Sequence, residues 1–145
     1  MEIYNLANDI PVFEFQLKTF SSGISEAFDE LIKKTGDIAG DRSCFGIIKP
    51  GNEGKMCYFV AAEEKEPREA EKFNYDTYTI ESGEYLITRI HDWRTKTGSI
   101  KDVFHEIFQD GRVDKKMPCV EWYKNDNEMV CMVKTTLSKT NTGKQ

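Results

Sequence analysis

Long apolar runs, paired cysteines and clustered basic residues are all missing from this sequence. A membrane-spanning helix needs about eighteen consecutive apolar residues, and no stretch approaches that length. The chain also does not open with a basic region followed by an apolar one, as a secretory signal does. These absences predict a cytoplasmic protein that does not associate with a membrane.

Motifs for metals and cofactors are missing as well. The cysteines form no CxxC pair, and His91 and His105 stand in no ligand-like spacing, so we predict neither a metal site nor a cofactor. The segment from Gly51 to Gly54 joins two predicted strands and lacks the lysine-containing phosphate-loop pattern, which indicates a turn. Each cysteine falls in a stretch typical of a buried strand, which predicts reduced core thiols at Cys44, Cys57, Cys119 and Cys131.

The balance of charge is acidic. The formal net charge is −5 at pH 7 and the isoelectric point is near 5.1. A nucleic-acid-binding surface needs clustered Lys and Arg to neutralise phosphates, so we predict no direct binding to nucleic acid. An acidic protein does favour cationic small molecules through its electric field.

The first half of the chain predicts one strand, one helix and two further strands. Residues 12–18 alternate apolar and polar side chains, as in a strand with one buried face. Ser22 to Gly36 has apolar residues at three- and four-residue spacing, typical of a capped amphipathic helix. Strands at 43–49 and 55–62 follow, and residues 63–72 have no apolar face and are interpreted as a connection.

The second half repeats this order. Residues 73–80 and 84–90 predict a pair of strands, and Ser99 with Asp102 forms a capping-box pattern at the start of a helix. Two strands on either side of a polar turn at 125–127 complete the half. The halves align at an offset of about 75 residues, which indicates duplication: Gly23 with Gly98, Phe28 with Phe104, Cys44 with Cys119, and Cys57 with Cys131.

Duplication predicts an α+β fold made of two strand-helix-strand-strand modules, residues 11–63 and 73–134, within one domain over 1–137. One module alone is too small for a stable core, so we expect a shared pseudo-twofold antiparallel sheet with both helices on one face. A concave cleft at the junction would then be the natural place for a ligand. Residues 138–145 are polar and predict a flexible tail.

The tract MPCVEWYK places Glu121 inside an otherwise apolar strand. Alternation puts Cys119, Glu121 and Tyr123 on one face and Val120 and Trp122 on the other. A buried carboxylate pairs, becomes neutral or serves a ligand. Flanked by rings it can hold a cation, through about 4 kcal/mol of attraction at 4 Å and an effective dielectric constant of 20, with cation–π contacts of roughly 0.5–2 kcal/mol. The alternative is an ordinary solvent-facing Glu121.

Four more aromatic residues lie near predicted strands or their ends: Phe45, Tyr58, Tyr85 and Trp93. Aromatic residues dominate the burial of protein cores, which favours a core position for each of them. Tyr58 and Tyr85 keep a functional alternative, because a buried phenol needs a polar partner and a cleft supplies one.

The order of modules and the tract PCVEWY resemble the GyrI-like effector-binding domains, which have a SOUL-like fold and also occur in AraC-type and MerR-type multidrug-responsive regulators. The resemblance covers residues 11–134. Its carriers are SGISEAFDELIKKTG, CFGII and MCYFVAAE in the first half, and TIESGEYLITRIHDW, SIKDVFHEIF and PCVEWY in the second.

The resemblance implies a cleft that binds hydrophobic and often cationic molecules. It implies that Glu121 is the pocket carboxylate, that Tyr58, Tyr85 and Tyr123 are pocket aromatics, and that Trp122 and Trp93 are further ligand-binding candidates. Two features depart from the family. His91-Asp92-Trp93 stands where many relatives have a glycine-containing segment, and no helix-turn-helix module accompanies the two units, which predicts a stand-alone version without DNA-bound regulation.

Three functions remain open at this stage. The first is a small-molecule-binding module with Glu121 as its carboxylate. The second is a hydrolase of reactive, cyclopropane-bearing compounds, an activity that the resemblance suggests, with Glu121 as base or nucleophile and Tyr58 or Tyr123 assisting. The third is a protein-interaction module such as a gyrase modulator.

Overall fold

The computed structural model of the chain describes residues 1–17, 24–35, 42–51, 54–125 and 127–136. Over these residues it is an α+β protein of antiparallel strands, as the sequence predicts, with three α-helices where two were expected. No helix in these ranges is long and apolar enough to cross a membrane. The predicted caps Ser22 and Gly36, and the predicted tail at 138–145, lie outside the described residues. The strands are β1 (Glu2–Leu6), β2 (Ile10–Gln16), β3 (Cys44–Pro50), β4 (Met56–Glu63), β5 (Asp76–Ile80), β6 (Gly83–His91), β7 (Cys119–Tyr123) and β8 (Glu128–Lys134), and the helices are α1 (Ile24–Thr35), α2 (Glu69–Phe73) and α3 (Ile100–Phe108).

Residues 10–80 form one compact unit, here called the continuous unit. Its strands follow the order β3-β4-β2-β5, with every neighbouring pair antiparallel. Helix α1 buries its apolar stripe, Ala27 and Leu31, against Phe13, Tyr58 and Val60 of the sheet. Acidic Glu26 lies in the first turn of α1, and Lys33 and Lys34 lie in the last, which matches the helix dipole.

Residues 1–9 and 81–145 form the second compact unit, here called the two-segment unit. Its strands follow the order β7-β8-β6-β1, again antiparallel. Helix α3 lies against β6 and β8 and buries Phe104 and Ile107. The predicted capping box is wrong: the Ser99 hydroxyl makes no cap bond and donates instead to the carbonyl of Lys96 at 2.7 Å.

The two units share one topology, which is the duplication seen in the sequence. In each, a hairpin pairs with the strand that precedes the helix, and an outer strand completes the sheet. The strand register tests the residue matches from the sequence. Gly46 lies opposite Val60, and Glu121 lies opposite Cys131. If Cys44 is matched with Cys119, Gly46 is matched with Glu121 and Val60 with Cys131, so the register does not also allow the match of Cys57 with Cys131.

The outer strands differ from the sequence interpretation. Residues 73–80 were grouped with the second module as the partner of 84–90, but β5 pairs with β2 and belongs to the continuous unit. The partner of β6 on that side is β1, a strand that the sequence did not predict. Both are edge strands with mostly exposed side chains, so neither carries a clear apolar alternation. The Asp9 carboxylate accepts a hydrogen bond from the backbone N–H of Ser82 at 2.7 Å. This bond links the connection between β1 and β2 to the connection between β5 and β6.

Helix α2 corrects the interpretation of residues 63–72 as a plain connection. Its anchor is Glu69, which is 8% exposed and forms a bidentate ion pair with Arg42 at 2.7 and 2.9 Å. The same carboxylate accepts the backbone N–H groups of Lys65 and Glu66. Ala70 is the small apolar residue that α2 adds to the core. Because α2 is held by a charged side chain, its sequence has no apolar periodicity. The sequence therefore did not predict this helix.

We predict that Glu69→Gln destabilises the protein by about 2–3 kcal/mol at pH 7. The Arg42 guanidinium, followed by the two backbone N–H groups, lowers the pKa of Glu69 from 4.5 to about 2, and one pKa unit corresponds to about 1.4 kcal/mol. Because the folded-state pKa is lowered, the contribution is present above pH 4.5 and is lost as the pH falls towards 2. Urea unfolding of wild type and Glu69→Gln should show a difference in the free energy of unfolding that falls by about half by pH 3.

The control for this prediction is Glu71→Gln, the same substitution at an exposed position of the same helix. It should change the free energy of unfolding by less than about 0.5 kcal/mol. If the difference in the free energy of unfolding between wild type and Glu69→Gln does not depend on pH, the assigned role of the ion pair is wrong.

Candidate functional site

Glu121 is a buried carboxylate at the centre of β7. Only 5% of the residue is exposed, so the alternative of a solvent-facing Glu121 is wrong. The hydroxyl of Tyr123 donates a hydrogen bond to Glu121 Oε1 at 2.7 Å. This bond confirms the alternation argument, since residues two apart on a strand project from the same face.

Trp93 extends this pair from outside the strand. Its ring meets the Tyr123 ring edge-on, with centroids 4.9 Å apart and planes at 61°. The indole N–H donates to the carbonyl of Asn125 at 2.9 Å, which fixes the ring beside the β7–β8 hairpin. Asp92, just before Trp93, has a φ of 58°. Asp tolerates this left-handed conformation, which is otherwise typical of glycine.

Strand register sorts the remaining candidates of the two-segment unit. Directly opposed residues in an antiparallel pair share a face. Glu121 lies opposite Cys131, which lies opposite Thr88 on β6. Tyr85, three residues from Thr88, therefore projects from the other face, together with Trp122.

That other face has its own aromatic contacts. Trp122 packs edge-on against Tyr4 of β1, with centroids 6.3 Å apart, and the Lys124 ammonium lies 4.8 Å from the Trp122 ring centroid. Tyr85 is 3% exposed, and its hydroxyl donates to the carbonyl of Glu81. Tyr85 thus finds its polar partner in the backbone.

Tyr58 and Phe45 belong to the continuous unit. Tyr58 is 3% exposed and lies in the core beneath α1, and Phe45 is 1% exposed on the opposite face of that sheet. Both are core residues, as their chemistry favours. The structure therefore brings together Glu121, Tyr123 and Trp93, and it places Tyr85 with Trp122 elsewhere in the same unit.

Electrostatics around Glu121 act on its thiol neighbours. Burial, followed by the Glu121 charge, raises the pKa of Cys119 to about 12. The same two causes raise the pKa of Cys131, which faces Glu121 across the hairpin. A cation at this position would experience the opposite effect, because the field that disfavours a thiolate favours a positive charge. Among the described residues no group of three or more His, Cys, Asp or Glu side chains could hold a metal ion.

The two units differ at the position of this carboxylate. With Cys44 matched to Cys119, Gly46 of β3 occupies the position that Glu121 occupies on β7. The scaffold is therefore built once with a glycine and once with a buried acid at the same place. That difference points to a role for Glu121 outside fold stability.

Sequence reasoning also missed that Glu14 of β2 is a buried acid. The alternation of residues 12–18 predicted one buried face, with Glu14 on the polar side. The structure has Glu14 only 4% exposed, because both faces of β2 are covered around this position. Its partner is the Lys49 ammonium of β3, 2.9 Å from Oε2. The sequence feature that could have indicated this ion pair is Lys49, an isolated lysine at the end of the apolar tract CFGIIK.

Solved structures of other proteins share this fold. VCH_CASS2, an integron cassette protein from the mobile metagenome of Vibrio cholerae, has a TM-score of 0.63 at 13% identity, covering 92% of this chain and 94% of its own. SAV2435, in a structure with bound tetraphenylphosphonium, has a TM-score of 0.61 at 18% identity, covering 92% and 93%. A Staphylococcus aureus MU50 protein described as a candidate bacterial transcription regulator has a TM-score of 0.57 at 18% identity, covering 92% and 97%. No family model and no curated protein matches the sequence.

These likenesses show the fold. At identities of 13–18% they do not show a shared ligand or activity. The contacts around Glu121 are observed in this chain itself.

We predict that the four thiols divide into two classes in the native protein. Cys119 and Cys131 are buried with raised pKa values, so iodoacetamide at pH 8 should leave them unmodified. Cys44 and Cys57 are partly exposed and should react first. Peptide mass spectrometry with and without denaturant measures both classes in one sample. Rapid native alkylation of Cys131 would contradict the described burial.

Proposed function

We propose that this chain binds small hydrophobic cations, with Glu121 as the charge anchor and Tyr123 and Trp93 as aromatic contacts. The observation that carries the proposal is the carboxylate of Glu121, 5% exposed within an apolar hairpin and joined to an aromatic pair. A buried carboxylate joined to aromatic rings attracts positive charge, and a lipophilic cation supplies that charge together with apolar surface.

The expected energetics favour a cation over a neutral ligand of the same shape. Attraction between unit charges 4 Å apart is about 4 kcal/mol at an effective dielectric constant of 20. A cation over a desolvated ring adds roughly 0.5–2 kcal/mol. Part of this is lost to desolvation of both charges, so we expect a net preference of one to two orders of magnitude in affinity.

Three further facts support the proposal. SAV2435, which shares the fold, has been described with bound tetraphenylphosphonium, a lipophilic cation. The sequence tracts of this chain also resemble the GyrI-like effector domains, in which Glu121 would be the pocket carboxylate. The net charge of −5 adds a general attraction for cations.

The other candidate residues stay predictions within this proposal. Tyr58, Tyr85 and Trp122 were expected to line the same pocket, and Tyr85 and Trp122 project from the face opposite Glu121. The minimal site that we propose is therefore Glu121, Tyr123 and Trp93. Hydrolysis is not favoured by any observation at this site, since the Tyr123 hydroxyl donates a hydrogen bond to the carboxylate that would have to act as base or nucleophile.

We predict that Glu121→Gln weakens binding of tetraphenylphosphonium at least tenfold. The substitution keeps shape and hydrogen bonding and removes only the charge, so the loss reports the electrostatic part of affinity. Isothermal titration calorimetry on both proteins gives the two dissociation constants. Thermal unfolding with the ligand present gives an independent readout, because a ligand bound to the native state raises the midpoint.

The matched control is Glu106→Gln, the same change of charge at an exposed position of α3. It should leave the dissociation constant within about twofold, since exposed charges are screened by salt. Triphenylphosphine oxide, a neutral relative of the probe, should bind wild type and Glu121→Gln equally. Equal binding of the cation to wild type and Glu121→Gln would exclude Glu121 as the anchor.

A further inference from the structure

A second buried carboxylate lies in the continuous unit, on the sheet face opposite α1. Glu14 of β2 is 4% exposed, and the described residues offer its Oε1 no hydrogen-bond partner. Its Oε2 accepts the Lys49 ammonium at 2.9 Å. Burial is the main cause that raises the pKa of Glu14, and Lys49 opposes it. One half of this carboxylate is thus satisfied and the other half is not.

Two aromatic rings complete the surroundings of the Lys49 ammonium. Its Nζ lies 3.7 Å from the centroid of Phe59 and 4.6 Å from that of Tyr78. These distances lie within the roughly 6 Å range of cation–π attraction. Register confirms that the groups share one face: Glu14 lies opposite Ala61, two residues from Phe59, and Tyr78 lies opposite Val12. A carboxylate with two rings around one positive charge is the arrangement that recognises an alkylammonium group.

The repeated fold has a different residue at this position. With Cys44 matched to Cys119, strand register makes Glu14 correspond to Ile87 of β6, which is 1% exposed. The two-segment unit therefore fills the same position with an aliphatic side chain. Replacing a buried ion pair with apolar residues is often neutral or stabilising. A cage of acid and rings kept at this place fits a binding role better than a packing role.

We propose that Glu14, Phe59 and Tyr78 form a second cation site, selective for small alkylammonium groups, which Lys49 occupies in the ligand-free chain. The Lys49 side chain is 16% exposed and has a flexible stem, so its ammonium can exchange into solvent and regain hydration. An incoming alkylammonium then takes the same carboxylate and the same rings. Lys49 acts as an internal competitor that sets the apparent affinity. The site involves no residue of the Glu121 site, so the two proposals stand independently.

The test compares the binding of tetramethylammonium to wild type and to Lys49→Met. Methionine keeps the apolar stem and removes the ammonium, which leaves the cage with its acid and without its occupant. Chemical-shift titration of the backbone amides of Phe59 and Tyr78 gives both dissociation constants at matched ionic strength, with sodium chloride as the reference salt. We expect binding to Lys49→Met to be at least tenfold tighter than to wild type.

Three comparisons make the result specific. The double variant Lys49→Met, Glu14→Gln should lose the gain in affinity for tetramethylammonium, because the negative charge of Glu14 is gone. tert-Butanol, a neutral molecule of similar size, should not reproduce the gain. Glu121→Gln added to Lys49→Met should leave it unchanged, which separates this site from the one proposed above.

Failure of Lys49→Met to fold does not remove the test. Lys49→Gln retains a donor for Glu14 and also lacks the ammonium, so the same tenfold gain is expected from it. The proposal is overturned if neither variant binds tetramethylammonium more tightly than wild type, or if the gain survives Glu14→Gln.

Discussion

Burial on both faces of the central strands is the constraint on which the rest of this structure depends. Strand β8 is buried at nearly every position, and β4 is buried across its middle, so neither face of these strands is available to water. Their neighbours β7 and β2 each carry one carboxylate into these covered layers, Glu121 and Glu14. A buried carboxylate must find donors or positive charge, because its hydration is lost.

Local patterns predicted the elements better than their partners. The alternation over residues 12–18 predicted most of β2, and Ser99 marked the start of α3, since each signal lies within a few residues of its element. The edge strands β1 and β5 are mostly exposed, so their place depends on pairing with residues far away in sequence. Helix α2 depends on an ion pair with Arg42, 27 positions before Glu69, which no local periodicity records.

The same limit applies to the sites. Alternation correctly put Glu121 and Tyr123 on one face, because they are two residues apart on one strand. It could not supply Trp93, which reaches Tyr123 from a turn thirty positions earlier in the chain. Nor could it show that Glu14 is buried, because alternation separates the two faces of a strand without telling how many are covered. Comparison of the repeats adds what a single strand cannot: Gly46 and Ile87 mark positions where the scaffold accepts a residue without charge.

The outer strand that pairs with β6 is β1 and not β5, and this has a consequence for the order of folding. The continuous unit has all its strands within residues 10–80, so it can form as soon as that segment has been synthesised. Strand β1 is made first, yet its pairing of Glu2 with Ile87 requires closure of a loop that contains the whole continuous unit. Folding that unit first shortens the effective loop and reduces the entropy lost on closure. Strand β1, which precedes the continuous unit in the chain, is therefore among the last to be paired, and until then β6 presents an open edge.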